Sequence, residues 1–310
     1  MATTRKPITT SDIVAHGLRG KKGDVKSVLF EGALLLSLFI SLAFLIILLV
    51  DVVGTGISVL LSRGGSFLSS GLSSFAERAG VAQGIFGSLV MLIFVVVLAF
   101  PIGVGAAIYL EEYAKDTRFN RFIDVNIRNL AGVPSIVYGL LGVAIFVIVL
   151  APLTGGASYI AGGLTLAVLV LPIIIITSAE ALRAVPDGIR EAGFGVGATR
   201  WEVVRSHVLP VAAPGILTGT VLSISRALGE TAPLLLVGAI TGFVATGDAS
   251  LGEQLRGPFA TLPTTIFAWA SQPDADFRAL TQAAIIVLLA VILTANGIAI
   301  FLRNRYERKW

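Results

Sequence analysis

Long apolar runs separated by short charged segments dominate the chain. Residues 32–50 contain no Asp, Glu, Lys or Arg, and neither do residues 81–110. A helix that crosses a membrane needs about 20 largely apolar residues, so each run predicts one membrane span. The second run is long enough for a tilted or kinked crossing, and Pro101 is the expected kink.

Four further spans follow from the same pattern. Residues 129–179 carry no charge and exceed the length of two crossings, and the turn-rich residues 152–156 divide them into two spans. Residues 210–247 and 279–302 give a fifth and a sixth apolar region. The pattern therefore predicts an all-α, polytopic membrane protein with six transmembrane helices and both termini on one side.

The positive charges indicate which side that is. The side with both termini has eighteen Lys and Arg residues, in residues 1–28, 111–128, 180–209 and 303–310. The opposite side has four, in residues 51–80 and 248–278. Because cytoplasmic loops carry the excess of Lys and Arg, we expect both termini in the cytoplasm. Residues 1–28 are then a cytoplasmic tail and residues 29–310 a transmembrane domain.

Composition narrows the function classes. The chain is 55% hydrophobic and 14% charged, whereas about a quarter of a soluble domain is charged. The net charge of +4 is explained by topology and does not indicate nucleic-acid binding. There are no cysteines and two histidines, which excludes disulfides, thiolate metal sites and cysteine nucleophiles and argues against a histidine metal cage.

The segment 180–210 is too polar to cross the membrane and is unusually long for a plain connector. Asp187, directly after Pro186, is predicted to cap a short helix. Three glycines are then expected to interrupt that helix: Gly193, Gly195 and Gly197.

A second short helix is predicted to begin after these glycines. Thr199 and Glu202 have the spacing of a capping box, in which the side chain of each residue accepts a hydrogen bond from the backbone N–H of the other. We expect this helix to end at Pro210. The segment is then a compact helix–Gly–helix unit on the cytoplasmic face, with the apolar side chain of Trp201 available for contact.

Two charged residues interrupt the fifth apolar region. Arg226 and Glu230 are four residues apart and so lie on one face of a helix. A guanidinium offers five donors in a planar fork that suits an oxyanion, and a charge at membrane depth is costly unless it faces a cavity or a partner. Ser223 and Thr231 add hydroxyls, and Pro233 is expected to break the helix. The sequence predicts a substrate pathway here; the alternative is an ion pair that only fixes helix packing.

The cytoplasmic segment resembles the coupling loop of ABC importer permeases. The residues that match its Glu-Ala-Ala, Gly and Leu-Pro pattern are Glu191, Ala192, Gly193, Gly197, Leu209 and Pro210. Two departures are a glycine at 193 in place of the second alanine and His207 in place of an aliphatic residue. The resemblance implies that this loop docks into a groove of an ATPase subunit. The alternative is a solvated amphipathic connector.

Four other stretches are similar to the phosphate branch of that class, the PstA family. They are residues 101–113, 131–139, 225–235 and 262–267. The likeness runs from about residue 80 to 310, and it implies the fold of a type I ABC importer permease in a bacterial plasma (inner) membrane. It also implies a PstC-like companion permease, a PstB-like ATPase dimer and a PstS-like extracytoplasmic phosphate-binding protein. Arg226 and Glu230 fall on positions that the family implicates in transport.

The energy source must lie outside this chain. Its only Gly-Lys pair, Gly20-Lys21, lacks the upstream glycine of a nucleotide-binding phosphate loop. We therefore expect no cofactor here, with ATP and Mg on a partner ATPase, and no catalytic activity. The alternatives are a permease for another oxyanion, an ion-coupled secondary transporter that uses Glu230, and an intramembrane hydrolase. The last lacks a membrane histidine and a nucleophile elbow.

Overall fold

The computed structural model describes residues 25–239 and 250–306, and in these ranges all regular elements are helical. The helices are α1 (Val25–Arg63), α2 (Ala82–Tyr113), α3 (Arg118–Ala131), α4 (Ser135–Val149), α5 (Tyr159–Arg183), α6 (Asp187–Gly195), α7 (Arg200–Gly229), α8 (Ala232–Val237), α9 (Leu262–Ala270) and α10 (Ala275–Tyr306). Short helical turns occupy Gly65–Ser69, Ala151–Thr154 and Leu251–Leu255. The predicted all-α class is confirmed.

Five helices, α1, α2, α5, α7 and α10, are long and apolar enough to cross a membrane. Helices α3 and α4 pass the same test together but are bent by 102°. Counting that pair as one span gives the six spans that the sequence predicts. The predicted cytoplasmic tail up to residue 24 and the end of the fifth apolar region, residues 240–247, lie outside the described residues.

The first helix is longer than its charge-free run. The run ends before Asp51, but α1 continues through this residue to Arg63. The part of α1 up to Asp51 is one structural unit and is exposed along its length. Residues 52–306 belong to the other unit. Within the second unit, Gly56 packs against α10, where a Cβ at 56 would lie 2.7 Å from Cδ1 of Ile286.

Helix α5 is the most enclosed part of the second unit. Its beginning is well defined: Gly155 and Gly156 adopt positive φ, and the Ser158 side chain then accepts a hydrogen bond from the Ala161 N–H. This confirms the predicted division of the third apolar run. Buried side chains on α5 contact α2, α7 and α4, and they form a core with members such as Leu166 and Val170.

Two prolines that the sequence marks as a kink and a helix end lie inside continuous spans. A π-helical segment precedes Pro101, and the Phe100 N–H binds the carbonyl of Val95. The same geometry precedes Pro210, where the Leu209 N–H binds the carbonyl of Val204. Because a π turn is wider than an α turn, the preceding carbonyls make room for the proline ring. The prediction that Pro210 ends the second loop helix is therefore wrong: this helix continues through Pro210 to become α7.

Candidate functional site

Arg226 and Glu230 form an ion pair at the end of α7. The Arg226 Nε donates to a carboxylate oxygen of Glu230 over 3.2 Å. The arginine side chain is 47% exposed and the glutamate side chain 15%. Within the described residues, the two terminal nitrogens of this guanidinium have no protein acceptor, so one edge of the fork is open to an anion.

The helix is interrupted directly beside this pair. Helix α7 ends at Gly229, Glu230 is extended, and α8 begins after Thr231. Pro233 is the second residue of α8, a position at which the missing N–H is tolerated. The interruption leaves exposed backbone and the half-buried Thr231 next to the carboxylate.

Ser223 does not contribute to this open edge. It is buried, and its hydroxyl donates to the Gly219 carbonyl one turn earlier in α7. The structure therefore pairs Arg226 with Glu230, places Thr231 directly after them in the chain at the interruption, and turns Ser223 inward.

A second polar feature lies on the face of α7 between α5 and α10. A cleft of about 880 Å³ opens there. Its polar lining residues are Thr177, Glu180, Thr218, Ser225, Asn296 and Arg303. The Ser225 hydroxyl donates to Oδ1 of Asn296 over 2.9 Å, which links α7 to α10. Sequence reasoning missed this cleft; the signal was Asn296, an amide in the middle of an apolar span.

The 180–210 loop folds as two helices joined at Gly197. Helix α6 includes Gly193 and Gly195, so the prediction that these two glycines interrupt the helix is wrong, and Gly197 alone of the three has positive φ. The predicted capping box is present: the Thr199 hydroxyl accepts from the Glu202 N–H, and the Glu202 carboxylate accepts from the Thr199 N–H.

Asp187 does not cap α6. It is the first residue of this helix, Pro186 occupies the cap position, and no side chain caps the helix. The Asp187 carboxylate instead accepts a hydrogen bond from Arg190 at 3.2 Å. Pro186 has φ −58° and ψ 137°, so the chain is extended directly before the helix begins.

The two departures from the family loop pattern lie in contact with each other. A Cβ at Gly193 would lie 3.1 Å from a ring carbon of His207 and 2.8 Å from a methyl group of Val203. The glycine therefore allows α6 to approach the start of α7 closely. It leaves room for the His207 ring, which is larger than the aliphatic side chain of the family pattern.

The outer surface of this loop is open. Glu191 and Ala192 are exposed, as are the apolar side chains of Phe194, Val196 and Trp201. Leu209 is half-buried and Pro210 is exposed at the beginning of the membrane part of α7. An exposed apolar patch with a charged residue in it is typical of a protein-binding surface.

Residues 99–308 match the family model described as "Binding-protein-dependent transport system inner membrane component". The chain is 35% identical to the "Phosphate transport system permease protein PstA" of Yersinia pestis, over 73% of this chain and 74% of that protein. It is 36% identical to the "Phosphate transport system permease protein PstA 1" of Mycobacterium tuberculosis (strain CDC 1551 / Oshkosh), over 72% of this chain and 70% of that protein.

Solved structures show the same fold at low sequence identity. A chain of the MetNI methionine ABC transporter in an inward-facing conformation superposes with a TM-score of 0.60 at 17% identity, over 74% of this chain and 96% of that chain. A chain of a bacterial ABC transporter involved in the import of the acidic polysaccharide alginate superposes with a TM-score of 0.61 at 14% identity, over 92% and 98%. The predicted fold of an ABC importer permease is thus confirmed.

Proposed function

The chain belongs to the family of binding-protein-dependent transport system inner membrane components, and on this premise we propose that it is the permease subunit of an ATP-driven importer of inorganic phosphate. The relatives named above are phosphate permeases. The observation that carries the proposal for this chain is the half-exposed guanidinium of Arg226 within a membrane helix, with its two terminal nitrogens unused by the described protein groups.

Arg226 binds phosphate during passage. A planar guanidinium matches two oxygens of an oxyanion, and its charge is permanent. Glu230 occupies only the Nε edge of the fork. The carboxylate limits the cost of a positive charge at membrane depth while the pathway is empty, and its negative charge keeps phosphate from binding too tightly to leave.

The chain itself is not catalytic. ATP and Mg bind to a separate ATPase dimer, which docks against the loop surface that contains Glu191, Phe194, Val196 and Trp201. A companion permease related to this one completes the pathway, and a phosphate-binding protein delivers the substrate from the opposite side of a bacterial plasma membrane. Both termini lie in the cytoplasm with the loop, in agreement with the distribution of positive charge.

Uptake of radiolabelled phosphate at limiting concentration tests the proposal. Cells that lack only this chain should lose high-affinity uptake, and restoring the chain should return it. ATP depletion with the membrane potential maintained should also stop uptake. Normal uptake in the deletion strain, with loss of uptake of another oxyanion, would retain the importer class and reject phosphate. Uptake that survives ATP depletion would support an ion-coupled carrier instead.

A further inference from the structure

Three consecutive residues at the cytoplasmic end of α2 hold three arginines around the coupling loop. Glu111 pairs with Arg183 at the end of α5, and Glu112 pairs with Arg190 on α6. The ring of Tyr113 lies under the guanidinium of Arg200, 5.3 Å from its central carbon, at the beginning of α7. We call this set of three contacts the α2 clamp. It connects α2 to the end of α5, to α6 and to the beginning of α7.

The central contact of the clamp is the most enclosed. One terminal nitrogen of Arg190 donates to Glu112 over 2.8 Å, and the Nε donates to the same carboxylate over 3.2 Å. The glutamate side chain is 8% exposed and the arginine side chain 19%. The hydrogen bond to Glu112 also raises the pKa of the Arg190 guanidinium above its ordinary value.

Arg190 uses one of its remaining donors on Asp187 and the other two on the backbone. It donates to the carbonyl of Leu182 over 2.9 Å and to the carbonyl of Val185 over 2.7 Å. These carbonyls lie at the end of α5 and in the turn before α6. A single side chain therefore fixes α6 to both α5 and α2, and its planar five-donor fork is suited to this geometry.

The three residues of the clamp on α2 lie in a π turn. Residues 109–113 are π-helical, and the Ala114 N–H binds the carbonyl of Tyr109, five residues earlier. Glu111, Glu112 and Tyr113 all lie in this π segment and contact three different elements. Such π segments occur frequently at functional sites.

An ordinary surface pair in the same region provides a contrast. Asp116 and Arg121 lie 3.0 Å apart, but their side chains are 82% and 70% exposed and connect no two helices of the core. Exposed pairs of this kind contribute little, whereas removal of one partner from an enclosed pair leaves a charge without compensation.

We propose that Glu112 and Arg190 are positioning residues that transmit movement of the coupling loop to α2. This inference rests on the proposed function, because it assumes that an ATPase moves the loop. Arg190 lies on α6, and Glu112 lies on α2, which packs along α5. A displacement of α6 must therefore displace the end of α2 as long as the pair holds. The clamp thus joins ATP hydrolysis to opening of the pathway without contact with the substrate.

The first test compares transport with hydrolysis in the complete complex reconstituted in proteoliposomes. In Glu112→Gln, the number of phosphate ions transported per ATP hydrolysed should fall at least about fivefold, within the usual range of coupling between two sites, while ATP hydrolysis continues. Arg190→Lys keeps the charge but cannot reach the carboxylate and both carbonyls, so it should have the same effect. Asp116→Asn should leave the ratio unchanged. An unchanged ratio in both clamp variants would overturn the proposal.

A second test does not depend on the substrate. The chain has no cysteine, so spin labels can be attached to the exposed positions of Lys115→Cys and Gly188→Cys. With the clamp intact, the distance between the labels should stay narrow and unchanged between the nucleotide-free and ATP-bound complex. In Glu112→Gln it should broaden or shift on ATP binding, and a distribution that stays narrow would contradict the clamp. If the wild-type complex moves no phosphate, the proposed function fails but this measurement still decides the inference.

Discussion

Gly215 lies so close to Ala181 that a Cβ added at position 215 would come within 2.7 Å of the Ala181 Cβ. One turn further along α7, Gly219 lies equally close to Thr177 of α5. Small residues four apart on both helices thus face each other. In a membrane, helices associate by close packing rather than by exclusion of water, and small residues permit it. The element that carries Arg226 is therefore held against the central helix α5 by backbone proximity.

Gly215→Val should consequently weaken the contact between α5 and α7. Overpacking of this kind costs about 1–3 kcal/mol, because the helices must separate or bend. The measurement is the thermal unfolding midpoint of the detergent-solubilised complex. Gly105→Ala is a suitable control, since among the described residues a Cβ at that position of α2 meets no atom within 4 Å outside its own stretch of helix. Equal midpoints for the two variants would show that the close approach does not stabilise the structure.

The sequence predicted the spans from charge-free runs because burial of charge in hydrocarbon is costly whatever the fold. It could not place the end of a helix at a proline, because a proline that normally ends a helix can be accommodated by a change in backbone geometry. Proline disfavours a helix interior, but the π turn ahead of Pro210 is a feature of backbone geometry that residue pattern does not reveal. The same holds for long-range partners. The sequence shows Arg190 as a charge in the polar 180–210 loop. Its partner Glu112 is 78 residues away and can be identified only in the packed structure.

At the candidate site, the pattern indicated which residues lie on one face but not which are open. Arg226 and Glu230 have helical spacing, and the structure pairs them. Ser223 shares that region of sequence but binds the backbone of its own helix, as hydroxyl side chains commonly do in apolar surroundings. Spacing therefore predicted proximity, whereas exposure depended on the neighbouring helices.

Arg226→Gln should abolish phosphate uptake while the complex still assembles. The substitution removes the charge and the fork but keeps a similar length, and loss of a charged hydrogen bond to an anion costs about 1.5–3 kcal/mol or more. Uptake in whole cells and co-purification of the other subunits are the two measurements. Arg226→Lys keeps the charge but not the planar fork, so it should retain a fraction of the activity. Full uptake by the glutamine variant would exclude Arg226 from the pathway and leave only a packing role.

Gly193→Ala should disturb the loop without altering its exposed surface. The added methyl would lie 2.8 Å from Val203 and 3.1 Å from His207, so α6 must move away from α7. We expect a loss of about 1 kcal/mol or more of stability from the overpacking. The methyl group added by Gly195→Ala in the same helix meets no atom within 4 Å in the described part of the chain outside its own stretch of helix. This variant should instead stabilise α6 by about 0.5–1 kcal/mol. The measurement is the thermal unfolding midpoint of the two variants. A lower midpoint for Gly195→Ala than for Gly193→Ala would refute the contact.

Trp201→Ala and Glu191→Lys should each weaken association with the ATPase. The tryptophan is 56% exposed, and a large aromatic side chain at the centre of a docking surface commonly contributes at least about 2 kcal/mol to binding. The lysine substitution places a positive charge where a partner would meet a carboxylate, which chiefly affects orientation and the rate of association. The measurement is retention of the ATPase on the immobilised permease at increasing salt. Glu77→Lys is the control, because it makes the same change of charge at another exposed residue. The charge distribution places Glu77 on the opposite side of the membrane, so this variant should retain the ATPase as the wild type does. If Trp201→Ala and Glu191→Lys also retain the ATPase fully, this surface does not carry the contact, and the ATPase must bind elsewhere on the chain.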